Sequence, residues 1–301
     1  MRILLSGGSG LLGSALAKHL SGQGHRVGKL VRRPARTDDE FQWDPAHRDL
    51  DTRHLDGVDA VVNLSGAGLA SRPWTRGYVE VLYESRIDPI LTLTAAMGRM
   101  DHPPKVFLSQ SATGYYGPTS PAQGQADESS PSSPQSLLAD ICRRWEAAAQ
   151  TAPPAIRTVN MRTGVVFTPD DGALNKLLLP LKLGIGGPLG SGKQYWPWIS
   201  LPDLVAAIEF LLTHDISGPV NLSAPESSQV GVLVTALAKA FEKPARFRVP
   251  EVVLTTVMGQ MAREMLLTST RVRPAVLSAH GFTFQHPTPA AVAGWAAAAL
   301  H

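Results

Sequence analysis

At 301 residues, with 44% hydrophobic and 18% charged side chains, the chain has an ordinary globular composition with room for one large domain or two lobes. A formal charge of +3, carried by scattered basic residues, argues against nucleic acid or a membrane surface as partner. The single cysteine, Cys142, excludes an internal disulfide framework and fits a reducing, cytoplasmic setting. No apolar run reaches the roughly 18 residues of a membrane span, and no leader is expected before the first strand.

Arg2 to Ser6 reads as a short buried strand, Gly7-Gly8-Ser9-Gly10-Leu11-Leu12-Gly13 as a glycine turn, and Leu11 to Leu20 as a helix packed on a sheet. Strand, turn and helix in this order form the phosphate cradle of a dinucleotide fold. One glycine allows a sharp turn, one lets the backbone approach a pyrophosphate, and one lets helix and strand pack closely. Unpaired N–H groups at the helix start then face the anion. Arg26 to Val31 is a second strand, ending at Arg32-Arg33. Dinucleotide folds that prefer NAD carry an acid at this place, about twenty residues past the glycines. A guanidinium there would pair with a 2′-phosphate, so NADP(H) is the expected cofactor; the alternative is a solvated strand end.

Residues 37–56 are polar and poorly periodic, with Trp43-Asp44-Pro45 as a turn. Asp59 to Leu64 is a third strand, running into Ser65-Gly66-Ala67-Gly68, small enough to pass close to an adenine or ribose. Tyr78 to Met100 is helical, with Pro89 expected to kink it or start a new helix. Lys105 to Ser109 is a fourth strand leading to Ser111 and Tyr115-Tyr116, and Pro118 to Ser136 is an exposed loop or lid. Leu137 to Gln150 is a helix and Ala155 to Met161 a fifth strand, followed by Gly164-Val165-Val166. This alternation implies an α/β doubly wound parallel sheet of the Rossmann type. Gly7–Gly13, Arg32, Leu64–Gly66, Ser111 and Gly164–Val166 all follow strand ends and should line one crevice.

Beyond residue 167 the pattern changes. Gly172 to Leu183 is helical, Gly184 to Gly192 is a glycine-rich loop, and Tyr195-Trp196-Pro197-Trp198 is an aromatic cluster facing either a substrate or the core. Helices follow over Leu201–Leu212, Val230–Phe241, a methionine-rich Val252–Leu267 and Ala290–Leu300, with a strand at Val220–Leu222 and an extended Arg246–Pro250. The expected organisation is a dinucleotide-binding domain over 1–167, joined by 200–222, and a smaller C-terminal α/β substrate lobe from 168–199 and 223–301. No cluster of histidines and acids reads as a metal-ligand set, so no metal is expected.

The glycine turn, the DAVVNLSG strand end and the SQSATGYYG segment together resemble the extended short-chain dehydrogenase/reductase superfamily. More narrowly, Trp43-Asp44-Pro45, Ser85-Arg86, the stretch Cys142 to Ala148, Asn160 to Val166, Gly184 to Gly192 and Arg271-Val272-Arg273-Pro274 resemble its atypical epimerase-like subfamily, which carries a C-terminal domain of unknown function. The resemblance implies a nicotinamide-binding fold. It places cofactor contacts at Gly7, Gly10, Leu11, Leu12, Gly13, Arg32, Leu64, Ser65, Arg86 and Val166; Ser9, Arg33 and Gly66 join them as neighbours in the same crevice.

The catalytic pattern departs from that superfamily, whose site combines a Ser or Thr with Tyr-x-x-x-Lys, the lysine lowering the tyrosine pKa. Ser111 matches the serine. Counted back from Glu146, the Tyr and Lys positions hold Leu138 and Cys142, and none of the five tyrosines has a lysine four residues on. A substitute donor is expected at Tyr115, Tyr116 or a water held by Ser111. The expected function is an NADP(H)-dependent oxidoreductase or epimerase-like enzyme on a small molecule, as a monomer or homodimer. The alternative is a non-catalytic NADP(H)-binding sensor or assembly protein.

Overall fold

Alternating apolar strands dominate the first part of the chain. In the computed structural model, which describes residues 1–120, 122, 124–169, 174, 177, 178, 181, 186–245 and 247–300, they assemble into one seven-stranded sheet. Its strands are β1 (Arg2–Ser6), β2 (Arg26–Val31), β3 (Glu40–Gln42), β4 (Ala60–Asn63), β5 (Val106–Ala112), β6 (Arg157–Thr163) and β10 (Gly218–Leu222). Their spatial order is β10-β6-β5-β4-β1-β2-β3, with β1 central between β4 and β2. The β1–β2, β1–β4, β2–β3 and β4–β5 pairs are parallel. The doubly wound expectation holds, and β3 is a strand that the poorly periodic 37–56 stretch concealed.

Register explains how the strand ends come together. Ser6 lies opposite Leu30 on one side and Asn63 on the other, and Asn63 lies opposite Ser109. Whatever follows those residues therefore emerges on one edge of the sheet. Leu4, Val61 and Phe107 share a core with Ile90, Leu93 and Met97 of α2 (Arg76–Met97) and with Trp145, Ala148 and Ala149 of α3 (Leu137–Ala149). Side chains alternate along a strand, so Ile3 and Leu5 point to the opposite face of β1. There α1 (Leu11–Gly22) packs on β1 and β2, burying Leu16 and Leu20 fully.

The helix α2 runs on past Pro89 as one element, so no new helix starts there. Pro89 is buried and lines the cleft described below, while Ile90, Leu93 and Met97 pack α2 into the core and hold the helix through the missing N–H.

The chain divides into two compact units by contact: one of residues 1–111, 141–161 and 208–220, the other of 112–140, 162–207 and 221–301. This division by contact differs from the expected boundary at 167 and, like the expected organisation, returns part of the 200–222 region to the first unit. Residues after Ser111 are claimed by bonds no local pattern reveals: Thr119 N donates to Ser269 O at 2.9 Å, and Ala126 N to Arg271 O at 2.8 Å. The second unit also holds β7 (Val165–Phe167), paired with β9 (Trp198–Ser200), and β8 (Tyr195–Trp196), paired with β11 (Ser228–Gln229).

Trp196 and Trp198 are buried in the second unit's core with Phe167 and with Leu233 and Leu237 of α5 (Val230–Ala240). The aromatic cluster thus packs the core, and only Tyr195 remains partly exposed. Also in this unit, α4 (Leu201–Thr213) begins. Most of the helix expected over 172–183, and the start of the loop 184–192, lie outside the described residues; Leu174, Leu177, Leu178 and Leu181 are helical and buried. The methionine-rich helix ends early, as α6 (Glu251–Met258), because Gly259 turns with φ of 57°. A short turn and a π-helical segment over Arg263–Leu267 follow, then α7 (Ala275–Ala279) and α8 (Pro289–Ala298).

Candidate functional site

The turn after β1 is built by two glycines that tolerate no side chain. Gly7 adopts φ of 71°, and a Cβ on it would lie 2.6 Å from the Leu64 carbonyl oxygen. On Gly13 a Cβ would lie 2.2 Å from Gly7 O, so only glycine lets α1 start this close to the turn. Beneath the turn, Ser6 donates through its hydroxyl to Asn63 Oδ1, and Ser65 Oγ donates to Ser6 Oγ at 3.0 Å. That network ties the loop after β4 to the loop after β1. No side chain caps α1, whose N-cap is Gly10, so its first amides remain for an anion.

A cleft of about 880 Å³ opens above this turn. It brings together Gly7, Ser9, Gly10, Arg32, Arg33, Leu64, Ser65 and Gly66, which the sequence nominated. Trp43, Asp44 and Val81 with Ser85 also line it. The sequence marks Trp43-Asp44-Pro45 as a turn and as part of the subfamily resemblance, without a cofactor role; it is a turn, in which Asp44 accepts from Ala46 N at 3.1 Å and starts a short 3₁₀ turn. The missed signal was a tryptophan directly beyond a strand on the ligand edge of the sheet.

The two arginines after β2 differ. Arg33 donates twice to Glu40, at 2.6 and 2.7 Å, and this pairing pulls the Glu40 carboxyl down to about 2. Arg33 therefore ties β2 to β3. Arg32 is exposed and makes no hydrogen bond or ion pair among the described residues, which leaves its fork available.

Arg86, on α2, is 6% exposed. It donates to Leu82 O at 3.0 Å and to Ala67 O at 2.9 Å, and its guanidinium lies 5.1 Å from the Trp145 ring centre. No carboxylate meets it among the described residues. Burial lowers its pKa, against the raising influence of Cys142 and Tyr78 nearby. A desolvated cation without a counter-anion is costly, and it sits directly under Gly66 and Ala67 of the cleft wall. Leu11 and Leu12 are half-buried in the first turn of α1. Val166 belongs to the other unit, opposite Ile199 in the β7–β9 pair.

Ser111, at the end of β5, is fully buried, and its Oγ donates to Glu146 Oε1 of α3 at 2.7 Å. Leu138 and Cys142 precede Glu146 on the same helix; Cys142 is buried. In the sequence Glu146 stands within the Cys142–Ala148 stretch and serves to count back along α3, and nothing local marks it as a partner of a residue 35 positions away. Tyr115 and Tyr116 lie in the second unit, against Arg162: its guanidinium stacks 3.6 Å from the Tyr115 ring centre and donates to Tyr116 Oη at 2.9 Å. Tyr116 Oη donates in turn to Asn221 Oδ1 at 2.7 Å, and burial pushes the phenol up to about 12. Tyr116 is thereby held as a structural donor. Among the described residues no group of three His, Cys, Asp or Glu side chains is placed to hold a metal ion, and no helix is long and apolar enough to cross a membrane.

Glycine turn, uncapped helix start, free arginine and buried unpaired arginine together fit a phosphate-bearing dinucleotide. Residues 3–223 match the model of the NAD dependent epimerase/dehydratase family, and residues 249–294 match a domain of unknown function, DUF1731. The chain belongs to the epimerase/dehydratase family. It is 36% identical to the epimerase family protein Mb2239 of Mycobacterium bovis, across 98% of this chain and 97% of that protein. It is similar to human epimerase family protein SDR39U1, whose isoform 2 has been crystallised with NADPH: 31% identity, 99% of each chain covered, TM-score 0.91. The UDP-glucose 4-epimerase of Thermus thermophilus, in complex with NAD, shares the fold at 17% identity and TM-score 0.73, covering 98% of each chain.

Proposed function

We propose that this epimerase-family protein binds NADP(H) in the cleft beyond β1 and uses it in oxidoreductase or epimerase-type chemistry on a small molecule. The observation that carries the cofactor reading is the contrast between Arg33, spent on Glu40, and Arg32, exposed and unpaired on the same cleft. A 2′-phosphate would give Arg32 its partner, where an acid would be needed for a plain ribose. Gly10 and the α1 amides would hold the pyrophosphate, and Arg86 would offer its charge from beneath Gly66. When bound, the nicotinamide supplies or accepts a hydride. The NADPH complex of the human relative supports the same reading.

Titration of the purified protein with NADPH and NADH tests it. NADPH is expected to bind roughly 10- to 100-fold tighter, the worth of one charge-assisted pair, and Arg32→Ala to erase most of that preference. Equal affinities in the wild type would overturn the 2′-phosphate assignment. A second reading, a non-catalytic NADP(H) sensor, is favoured by Leu138 and Cys142 standing where a proton-transfer pair would be. It predicts bound NADPH that no carbonyl or nucleotide-sugar substrate ever oxidises, and a partner whose affinity changes with the cofactor.

A further inference from the structure

We propose that the chain pairs with a second copy of itself, each copy laying the apolar helix α6 into a groove beside α5 and α8 of its partner, with Glu251 on Lys239. This pairing is independent of the cofactor reading, since none of these residues lines the cleft beyond β1.

The helix needs a cover. Five of the eight residues of α6 are β-branched, and a two-turn helix of that composition is held by packing rather than by propensity. Yet no residue of α6 is buried within its own chain. Val252, Val253 and Val257 are 72%, 50% and 78% exposed, while Leu254 and Met258 are half-buried. Val253 and Val257 stand one turn apart, with Val252 and Thr256 beside them, so the exposed side is one apolar face. A membrane surface does not fit it. Helices that lie on lipid carry lysines and arginines on their polar side, and the only charge from Val249 to Ala262 is Glu251.

The groove, of about 930 Å³, supplies what the helix lacks. Residues of α5 and α8, which pack together, line it, and Gly231, Ala236 and Gly294 leave room there for incoming side chains. Its charges are Lys193, Lys239 and Arg248 against one acid, Glu226. Neither these four side chains nor Glu251 make an ion pair among the described residues. Three cations facing one acid call for a carboxylate, and Glu251 brings one at the head of the apolar face. Adjacency makes the exchange reciprocal. Val249 N donates to Pro188 O at 3.1 Å and Gly190 N to Val249 O at 2.9 Å. These bonds hold together Pro188 and Arg248, which both line the groove, and α6 begins three residues beyond Arg248. An apolar face beside its own receptor suits a two-fold axis: each copy's helix enters the other's groove, and the contact closes as a dimer.

Sedimentation velocity on the full chain over a wide range of concentrations tests this. The wild type is expected to reach twice the chain mass and to dissociate on dilution; a monomer at every concentration overturns the pairing. Val257→Asp is expected to weaken the dimer roughly tenfold or more, with the circular dichroism spectrum and NADPH affinity unchanged. Gly294→Trp fills the groove at a position where an added Cβ meets nothing within 4 Å, and is expected to weaken it similarly. A dimer indifferent to either variant overturns the helix-in-groove contact. Charge reversal then checks the ion pair. Glu251→Lys and Lys239→Glu are each expected to loosen the dimer, and the double variant to regain affinity; a double variant no tighter than the single ones overturns the docking of Glu251 on Lys239.

Discussion

The phenol of Tyr116 sits between Arg162, which donates to it at 2.9 Å, and Asn221, which accepts from it at 2.7 Å. Burial outweighs the neighbouring cation and lifts its pKa from 10.0 to about 12. The native state therefore holds this proton where the unfolded chain has lost it. Its contribution to stability is complete below pH 10 and is lost as pH rises through 12. Tyr116→Phe is expected to cost about 1–2 kcal/mol at neutral pH, read by urea unfolding, and to flatten the alkaline loss of stability. A wild-type-like decline from pH 10 to 12 in that variant would place its origin elsewhere. At Gly13 the constraint is steric: a Cβ would meet Gly7 O at 2.2 Å. Gly13→Ala is expected to destabilise by about 1–3 kcal/mol and to abolish NADPH binding, since relief of the clash must move the turn. Glycine spacing made this residue legible from sequence alone. Tyr116 was legible only as a candidate, because its partners lie 46 and 105 positions away.

Among the elements, α3 is one whose start is set at long range. Glu264, on the π-helical turn, accepts from Leu138 N at 2.9 Å, Leu137 N at 3.3 Å and Ser136 Oγ at 3.0 Å, so a carboxylate 126 residues downstream neutralises the helix N-terminus. Glu264→Ala is expected to cost about 1 kcal/mol in thermal unfolding, the usual worth of a lost cap, with Glu264→Gln losing less. The helix itself was readable to within a residue, β2 in full, and α1 to within two residues at its C-terminal end. Element ends without apolar periodicity were not. The strand β3 has three residues, and α2 passes Pro89 because its packing outweighs a local penalty of about 3 kcal/mol.

For the whole molecule, each compact unit is made from three separate stretches of chain. The first unit takes residues 208–220 from far downstream, and β10 closes one edge of the sheet from the same region. A chain ended after Phe167 keeps the cradle but lacks β10 and the end of α4, so Leu211 and Leu212 no longer cover their neighbours and Arg157 loses its carbonyl acceptors on Leu211 and Ile216. It is expected to show no cooperative thermal transition by circular dichroism, whereas the full chain does; a sharp melt of the fragment would make it an independent domain.

Local physics was enough for the nucleotide half. A strand, a glycine turn and a helix are each specified by neighbours in sequence, and parallel pairing then carries their ends to one edge; Arg32 at that edge was legible for the same reason. Tertiary structure alone separated Arg32 from Arg33, because Glu40 binds whichever guanidinium the β2–β3 pairing presents to it. It alone set Ser111 against Glu146 and withdrew Tyr116 into a buried network, since hydrogen bonds between distant segments exist only once the segments are packed.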